Sequence, residues 1–383
     1  MRKAVLMMVL GAMALRADDF TEWYRGLQKR GVQVSAGCWE LDTGKSVARE
    51  GEQRLLIPAS TTKVVSTYAL LKTWKPDFQV ETEVWGELDR EGTVVGDLIF
   101  KGGGDPFLIS ERLYLLARQL RDLGVKRVAG ELRIDQSAFD DQRWGTGWEN
   151  TSADTTPTIV PFAVNFGRNG QGRLATDPDR VAREELLTVL QDVGIPVAGK
   201  KGLKDVPAKL LSFPSPPLRM LVQDINKFSN NFMVETLTKK FGEGSWDRGV
   251  ARIHDFYAKI FGLGPDQVKL TDGSGLSKEN RLSAQTLAIV LRAAWFDFEV
   301  GPEFVSSLKI IGGEPFKLRH KDANLARRVR VKSGYLDNVR TLCGYLQMPD
   351  GRWRVFAILL NGATTEDDLW DQVSRWANEA PGS

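Results

Sequence analysis

Three observations in the sequence predict a mixed α/β chain in two parts, an antiparallel sheet flanked by helices with a β-rich insertion. The first and last parts of the 383-residue chain each join amphipathic helical stretches to alternating, strand-like runs. Residues from about 77 to 215 instead carry short β-rich runs between loops rich in Gly, Pro and Trp. The length suits two domains, or one large domain carrying an insertion. The composition, 42% hydrophobic with a formal charge of +3, is that of a folded globular chain. No cluster of Lys and Arg exceeds ARRVRVK, which leaves no electrostatic footprint for nucleic acid and excludes that class of partner.

Residues 1–17, MRKAVLMMVLGAMALRA, open with Arg2 and Lys3, continue through the apolar run Ala4 to Leu15, and offer small residues at Ala12, Ala14 and Ala17. This is the pattern of a secretory signal peptide, and the run is short of the ~20 apolar residues that span a bilayer. The expectation is an exported protein, periplasmic or on the cell-wall side of the cytoplasmic membrane, with no spanning segment after signal removal.

Next, DDFTEWYRGLQKRG reads as a helix closed by Gly31, and VQVSAGCWELDTGKSVARE as a hairpin turning at Asp42-Thr43-Gly44. IPASTTKVVSTYALLKTW reads as a helix bounded by Pro58 and Pro76. FQVETEVWGEL, GTVVGDLIFKGGG and RVAGELRID supply strands of the insertion, and FPSPPLRM at 213–220 marks its exit. Helical patterns then run to about 298. RVRVKSG, RTLCGYLQM and RWRVFAILLNG follow as strands, the last two joined by the turn Met348-Pro349-Asp350-Gly351, before the closing helix EDDLWDQVSRWANEA. The expected organisation is therefore a signal peptide at 1–17, one domain from 18–76 and 216–383, and the insertion at 77–215, with N- and C-terminal strands sharing one sheet.

His254, His320, Cys38 and Cys343 are too scattered to build a zinc site, so no metal is expected. His254 lies in the amphipathic stretch RGVARIHDFYAKIFG and reads as a half-buried surface histidine, so hydrolytic chemistry here needs another base. Ser60-Thr61-Thr62-Lys63 supplies one: the three-residue spacing puts both side chains on one helix face, where the helix N-terminus and burial disfavour the ammonium. A second Ser-x-x-Lys, Ser306 to Lys309, makes the tetrad alone weak evidence. Only the first is followed by both Ser229-Asn230-Asn231 and Lys332-Ser333-Gly334, the order of motifs in β-lactamases and penicillin-binding proteins.

With these motifs the chain resembles the low-molecular-mass class C penicillin-binding proteins, the D-alanyl-D-alanine carboxypeptidase/endopeptidase family. Pro58-Ala59 before the tetrad, Gly102-Gly103-Gly104-Asp105-Pro106 in the insertion and Thr271 to Ser277 extend the resemblance over essentially the whole mature chain. Ser60 and Ser229 lie 169 positions apart, room for one inserted domain where family members often nest two.

The resemblance implies a penicillin-binding-protein/β-lactamase-like transpeptidase fold and a cofactor-free serine DD-peptidase. Its substrates would be peptidoglycan stem peptides, and β-lactams would be its covalent inhibitors. It further implies that Ser60 is the nucleophile, Lys63 the base and Ser229 a proton relay. Asn231 would hold the peptide amide, Lys332 and Ser333 the terminal carboxylate, and Asp105 the free amino group of a diaminopimelyl stem. Asp272 to Ser277 reads as a structural turn. Ser333 replaces the usual Thr and keeps the hydroxyl. Tyr335, after Gly334, replaces the usual Ser or Thr, so it offers its backbone N–H to an oxyanion hole but no short hydroxyl to a carboxylate. The alternatives are a catalytically weak peptidoglycan-binding protein and a β-lactamase. In the fold that the resemblance implies, the N-terminal strand pairs with the last strand and that one with the strand holding Cys343, which places Cys38 and Cys343 two strands apart, too far for a disulfide.

Overall fold

A computed structural model describes residues 19–148, 156–199, 208–313, 322–363 and 365–379. The expected signal peptide and His320 lie outside the described residues. In chain order, helix α1 covers 19–29 and is followed by strands β1 (Gln33–Glu40) and β2 (Ser46–Glu50). A 3-10 turn at Ala59–Thr61 runs into α2 (Thr62–Trp74). Next come β3 (Glu81–Gly86), β4 (Thr93–Val94), β5 (Leu98–Lys101), α3 (Ser110–Asp122), β6 (Arg127–Val128), β7 (Leu132–Asp135), α4 (Pro178–Asp192) and β8 (Ala208–Pro214). Helices α5 (Leu218–Phe228), α6 (Asn231–Phe241), α7 (Trp246–Phe261), α8 (Ala284–Phe296) and α9 (Gly301–Ser307) follow. The chain closes with β9 (Lys309–Ile310), β10 (Val329–Leu336), β11 (Val339–Gln347), β12 (Trp353–Asn361) and α10 (Asp367–Ala377). No helix among the described residues is long and apolar enough to cross a membrane.

The chain divides into two compact units. The first takes the described residues to Thr73, Val222–Ser229 and those from His254 onward. Its six-stranded antiparallel sheet has the order β2-β1-β12-β11-β10-β9, so N- and C-terminal strands share one sheet as the sequence predicts, and the N-terminal strand pairs with the last one as the family resemblance implies. The seven interior residues of β12 are all buried, which requires cover on both faces. Phe20, Trp23 and Leu27 of α1 and Leu369, Trp370, Val373 and Trp376 of α10 cover one face, meeting Cys38, Phe356, Ile358 and Leu360. Helix α8 covers the other, where Tyr345 donates its hydroxyl to Leu291 O (2.7 Å) and Trp295 packs on Tyr345 and Trp353. Cys38 stands opposite Phe356 and Cys343 opposite Ala357, so the two free, buried thiols are two strands apart and on opposite faces.

The second unit takes Trp74–Leu221 and Asn230–Ile253. Its four-stranded sheet, β7-β5-β3-β8, combines a parallel β5–β7 pair with antiparallel neighbours, beside a two-stranded β4–β6 ribbon. Two helices that the sequence reading did not resolve pack here. Helix α3 buries Leu113, Leu116, Ala117 and Leu120, and α4, capped by Asp177 accepting from Arg180 N–H (3.0 Å), buries Leu186, Val189 and Leu190. The unit also differs from the expected 77–215 by including α6 and the start of α7. Lys239 of α6 is fully buried and donates to the Asp140 carboxylate (2.5 Å) and Gln142 O (2.6 Å), and Trp246 of α7 packs edge-on against Trp148. A buried ammonium needs such partners, and they come from the insertion.

Candidate active site

The first unit brings Ser60 and Lys63 together with Ser229 and the strand carrying Lys332, Ser333 and Gly334, whereas Asn230 and Asn231 of the second motif belong to the second unit. The nucleophile candidate is half-buried in the 3-10 turn, and the α-helix starts only at Thr62. Ala59, just before it, has φ +46°, a left-handed conformation that a residue with a Cβ adopts only under constraint. The constraints are visible. Pro58 O accepts from Thr61 N–H (3.2 Å), Thr61 Oγ1 (2.7 Å) and Thr341 Oγ1 (2.8 Å), and Ala59 O accepts from Thr62 Oγ1 (2.8 Å).

One turn on, Lys63 is fully buried with its Nζ 3.1 Å from Ser60 Oγ, and it donates to Ser274 O (2.8 Å). Ser274 belongs to the Gly-rich turn at 271–277, which the sequence reading treats as structural. The buried Asp272 carboxylate shapes that turn by accepting from the N–H of Gly275 (2.8 Å) and Ser277 (2.7 Å) and from Asn280 Nδ2 (2.6 Å). Gly275 has φ +85°, and a Cβ there would overlap the Ala59 carbonyl oxygen. The turn therefore locates both the lysine and the backbone before the nucleophile, a role with no local sequence signal because the partners are 211 positions apart.

Strand β10 carries the third motif. Lys332 is buried and donates to Ser229 Oγ (2.9 Å) and Ser333 O (2.8 Å). Burial first, and the neighbouring charges of Lys63 and Lys309 second, hold its ammonium well below the usual lysine range. Ser229, at φ +58°, sits in a second left-handed position between α5 and α6. Gly334 lies against the nucleophile, since a Cβ on it would come 2.7 Å from Ser60 N. Beyond Val331 the described pairing of β10 with β9 stops, so residues 332–336 are hydrogen-bonded to β11 alone among named strands.

Tyr335 is 43% exposed, donates its hydroxyl to Glu366, and lies under the Arg340 guanidinium, 5.7 Å from the ring centre. Asn231 opens α6 behind the cap Asn230, which accepts from Met233 N–H (3.1 Å).

Outside this cluster, Asp105 belongs to the second unit. Its carboxylate is closed to solvent: Oδ1 accepts from Phe107 N–H (2.8 Å), Oδ2 has no hydrogen-bond partner, and Arg112 Nη2 stands 3.8 Å away. Burial pushes its carboxyl up to about 6. Ser306 of the second tetrad donates to Glu303 O (3.0 Å), and its Lys309 lies on β9, so the tetrad straddles two elements. His254 accepts from Leu270 N–H at Nε2 (3.0 Å), and burial lowers its proton affinity, in keeping with a structural histidine.

The profile of the D-Ala-D-Ala carboxypeptidase 3 (S13) family matches residues 26–169 and 163–380. Carboxypeptidase DacB of Mycolicibacterium smegmatis is 27% identical over 364 residues, covering 86% of this chain and 76% of its own. The D-alanyl-D-alanine carboxypeptidase of an Actinomadura species is 27% identical, covering 84% and 76%. Among solved structures, penicillin binding protein 4 of Haemophilus influenzae shares the fold with a TM-score of 0.77 at 20% identity, over 92% of this chain and 98% of its own. The chain belongs to the D-Ala-D-Ala carboxypeptidase 3 (S13) family, the low-molecular-mass class C penicillin-binding proteins, and its activity is that of a serine-type D-Ala-D-Ala carboxypeptidase.

Proposed function

We propose that the protein is exported by its 1–17 leader and cleaves the terminal D-Ala-D-Ala bond of peptidoglycan stem peptides, with the following division of labour. The observation that carries the reading is the convergence, on one unit, of Lys63 at hydrogen-bond distance from Ser60 and of Lys332 bonded to Ser229. Ser60 Oγ attacks the carbonyl between the two D-alanines while its proton passes along the 3.1 Å contact to Lys63 Nζ. The backbone N–H groups of Ser60 and Tyr335 receive the developing oxyanion. Lys332 and the Ser333 hydroxyl pair with the terminal carboxylate. Ser229 relays a proton to the departing D-alanine, and Asn231 holds the peptide amide. Water then releases the acyl group and restores the Ser60 hydroxyl, a cycle complete without a cofactor.

The same acylation explains penicillin binding, since a β-lactam presents a strained amide and a carboxylate to the same groups. A Haemophilus influenzae relative of the same fold has been solved with a β-lactam bound. For Asp105 the proposed role is to receive the amine of a diamino residue in the stem, which requires Arg112 to yield the space beside the unpartnered Oδ2. Endopeptidase action is the second mode of the same chemistry, suggested by the fold shared with a predatory peptidoglycan endopeptidase of Bdellovibrio bacteriovorus (TM-score 0.59, 15% identity). The test is time-resolved mass spectrometry of the protein with penicillin and with a D-Ala-D-Ala pentapeptide. A lasting adduct on Ser60 together with D-alanine release is expected. Rapid adduct turnover would indicate a β-lactamase, and no adduct a wall-binding protein.

A further inference from the structure

Each residue leading into the nucleophile turn is held from outside its own segment. Leu56 donates to Leu282 O (2.9 Å) and accepts from Leu282 N–H (3.1 Å), and Pro58 O accepts from Thr341. Between them, Ile57 is gripped by one side chain. Asn361 Oδ1 accepts from Ile57 N–H (2.9 Å), and Asn361 Nδ2 donates to Ile57 O (3.1 Å), across 304 positions of sequence. Only this orientation of the amide satisfies both groups of the Ile57 backbone. Asn361 is the last residue of β12, and the register pairs it with Gln33 of β1 on one side and Val339 of β11 on the other. Its Cα is thus fixed by the centre of the sheet, and its amide serves Ile57 as a neighbouring strand's peptide group would.

We infer that Asn361 is a positioning residue for acylation, holding the Ile57 backbone so that the left-handed Ala59 delivers Ser60 Oγ to Lys63. The inference rests on the reading of Ser60 as the nucleophile. A left-handed alanine relaxes unless its flanks are over-determined, and Ile57 is the flank held by a single side chain. Loss of the clamp lets the turn shift by a fraction of an ångström, which the chemistry feels more than the fold does.

The position is open to a titration test. A cavity of about 360 Å³, lined by Leu56, Ile57, Arg281 and Asn361 among others, borders the clamp, and Asn361 is half-buried. A carboxyl group placed there can exchange protons with solvent, with Arg281 as the charged group facing the same cavity. Asn361→Asp keeps the acceptor for Ile57 N–H. As a carboxylate it turns a lone pair toward Ile57 O, whereas as a carboxylic acid it donates to that oxygen.

The experiment measures the second-order rate constant of penicillin acylation on the full chain for wild type, Ser60→Ala, Asn361→Ala and Asn361→Asp. It is run at 25 °C from pH 4.5 to 8, with folding checked by circular dichroism. Asn361→Ala is expected to slow acylation about 10- to 100-fold. The ratio of Asn361→Asp to wild type is expected to climb as pH falls. A purely structural asparagine would alter the melting temperature and leave that ratio flat among folded molecules. Acylation of folded Asn361→Ala within about twofold of wild type, or a flat ratio for Asn361→Asp, overturns the inference. Should the alanine variant not fold, the aspartate ratio decides. An adduct that persists in Ser60→Ala would instead overturn the nucleophile assignment.

Discussion

Lys63 and Lys332 of the first unit and Asp105 of the second are all closed to solvent, yet their surroundings differ. Each lysine nitrogen is met by oxygens: Ser60 and Ser274 for Lys63, Ser229 and the Ser333 carbonyl for Lys332. Asp105 has a donor on one oxygen only, and its ion-pair partner Arg112 stands back at 3.8 Å with its own Nε unsatisfied. Burial pushes both Lys332 and Asp105 toward their neutral forms, and what differs is the number of polar partners each group meets. The partnered lysines form a site assembled before any substrate arrives. The half-partnered carboxylate is raised toward neutrality and keeps capacity for another donor.

The largest expected effect breaks the first side of this comparison. Ser60→Ala should abolish covalent penicillin labelling, and Lys63→Ala should slow acylation by about 10²- to 10⁴-fold, the span of a lost general base. Ser306→Ala should label as wild type does. Label retained in Ser60→Ala, read by intact-mass spectrometry, would remove the partnered cluster from the chemistry.

Next in size, Lys332→Ala should cost about 10- to 150-fold in kcat/KM on peptides ending in a free carboxylate and much less on an amide-ended analogue. Lys63→Ala should depress both substrates alike. Because burial makes Lys332 give up its proton below the ordinary lysine range, the carboxylate preference should fade as pH rises, earlier than an ordinary lysine would allow. Lys332→Arg, whose charge does not titrate, should move that alkaline fall out of range. An unchanged alkaline limb in the arginine variant would assign the titration to another group.

The smallest effects concern Asp105. Its folded-state value, about 6, exceeds the ordinary ~3.9 of an unfolded chain, so the folded protein holds the extra proton between those values. Stability should therefore fall as pH rises from about 4 to 6, by on the order of 2 kcal/mol, and Asp105→Asn should flatten that fall in denaturant titrations. The same variant should raise KM for diaminopimelyl peptides while leaving penicillin acylation near wild type. Equal loss on both would make Asp105 a folding residue.

The two regions also differed in how far the sequence exposed them. Ser60, Lys63, Ser229 and Lys332 were legible because each motif is local and the order of motifs is informative. The sheet was legible because alternating runs and the Asp350-Gly351 turn specify hairpins. Ser274 and Asn361 were not, because Ser274 meets Lys63 Nζ through its main-chain carbonyl, which any residue type carries, and Asn361 meets the main chain of Ile57 across 304 positions, both set by tertiary register. In the second unit the amphipathic spacing of Leu113, Leu116, Ala117 and Leu120 marks α3 in retrospect, but short strands and Trp-rich loops on either side masked it. The packing of α6 with that unit depends on Lys239 meeting Asp140, a long-range ion pair without a local pattern.

The placement of the two cysteines makes the sheet an indicator of its own breathing. Cys38 lies under α1 and α10, and Cys343 lies on the face that α8 covers. Burial keeps both thiols neutral, Cys343 pushed up to about 12 and Cys38 higher still, so neither reacts from the closed state. A thiol reagent should therefore modify the native protein only as fast as one face or the other uncovers, and the two labelling rates clock separate events on a single sheet. Equal rates would mean that both helical layers leave together, and unequal rates would show which layer leaves first.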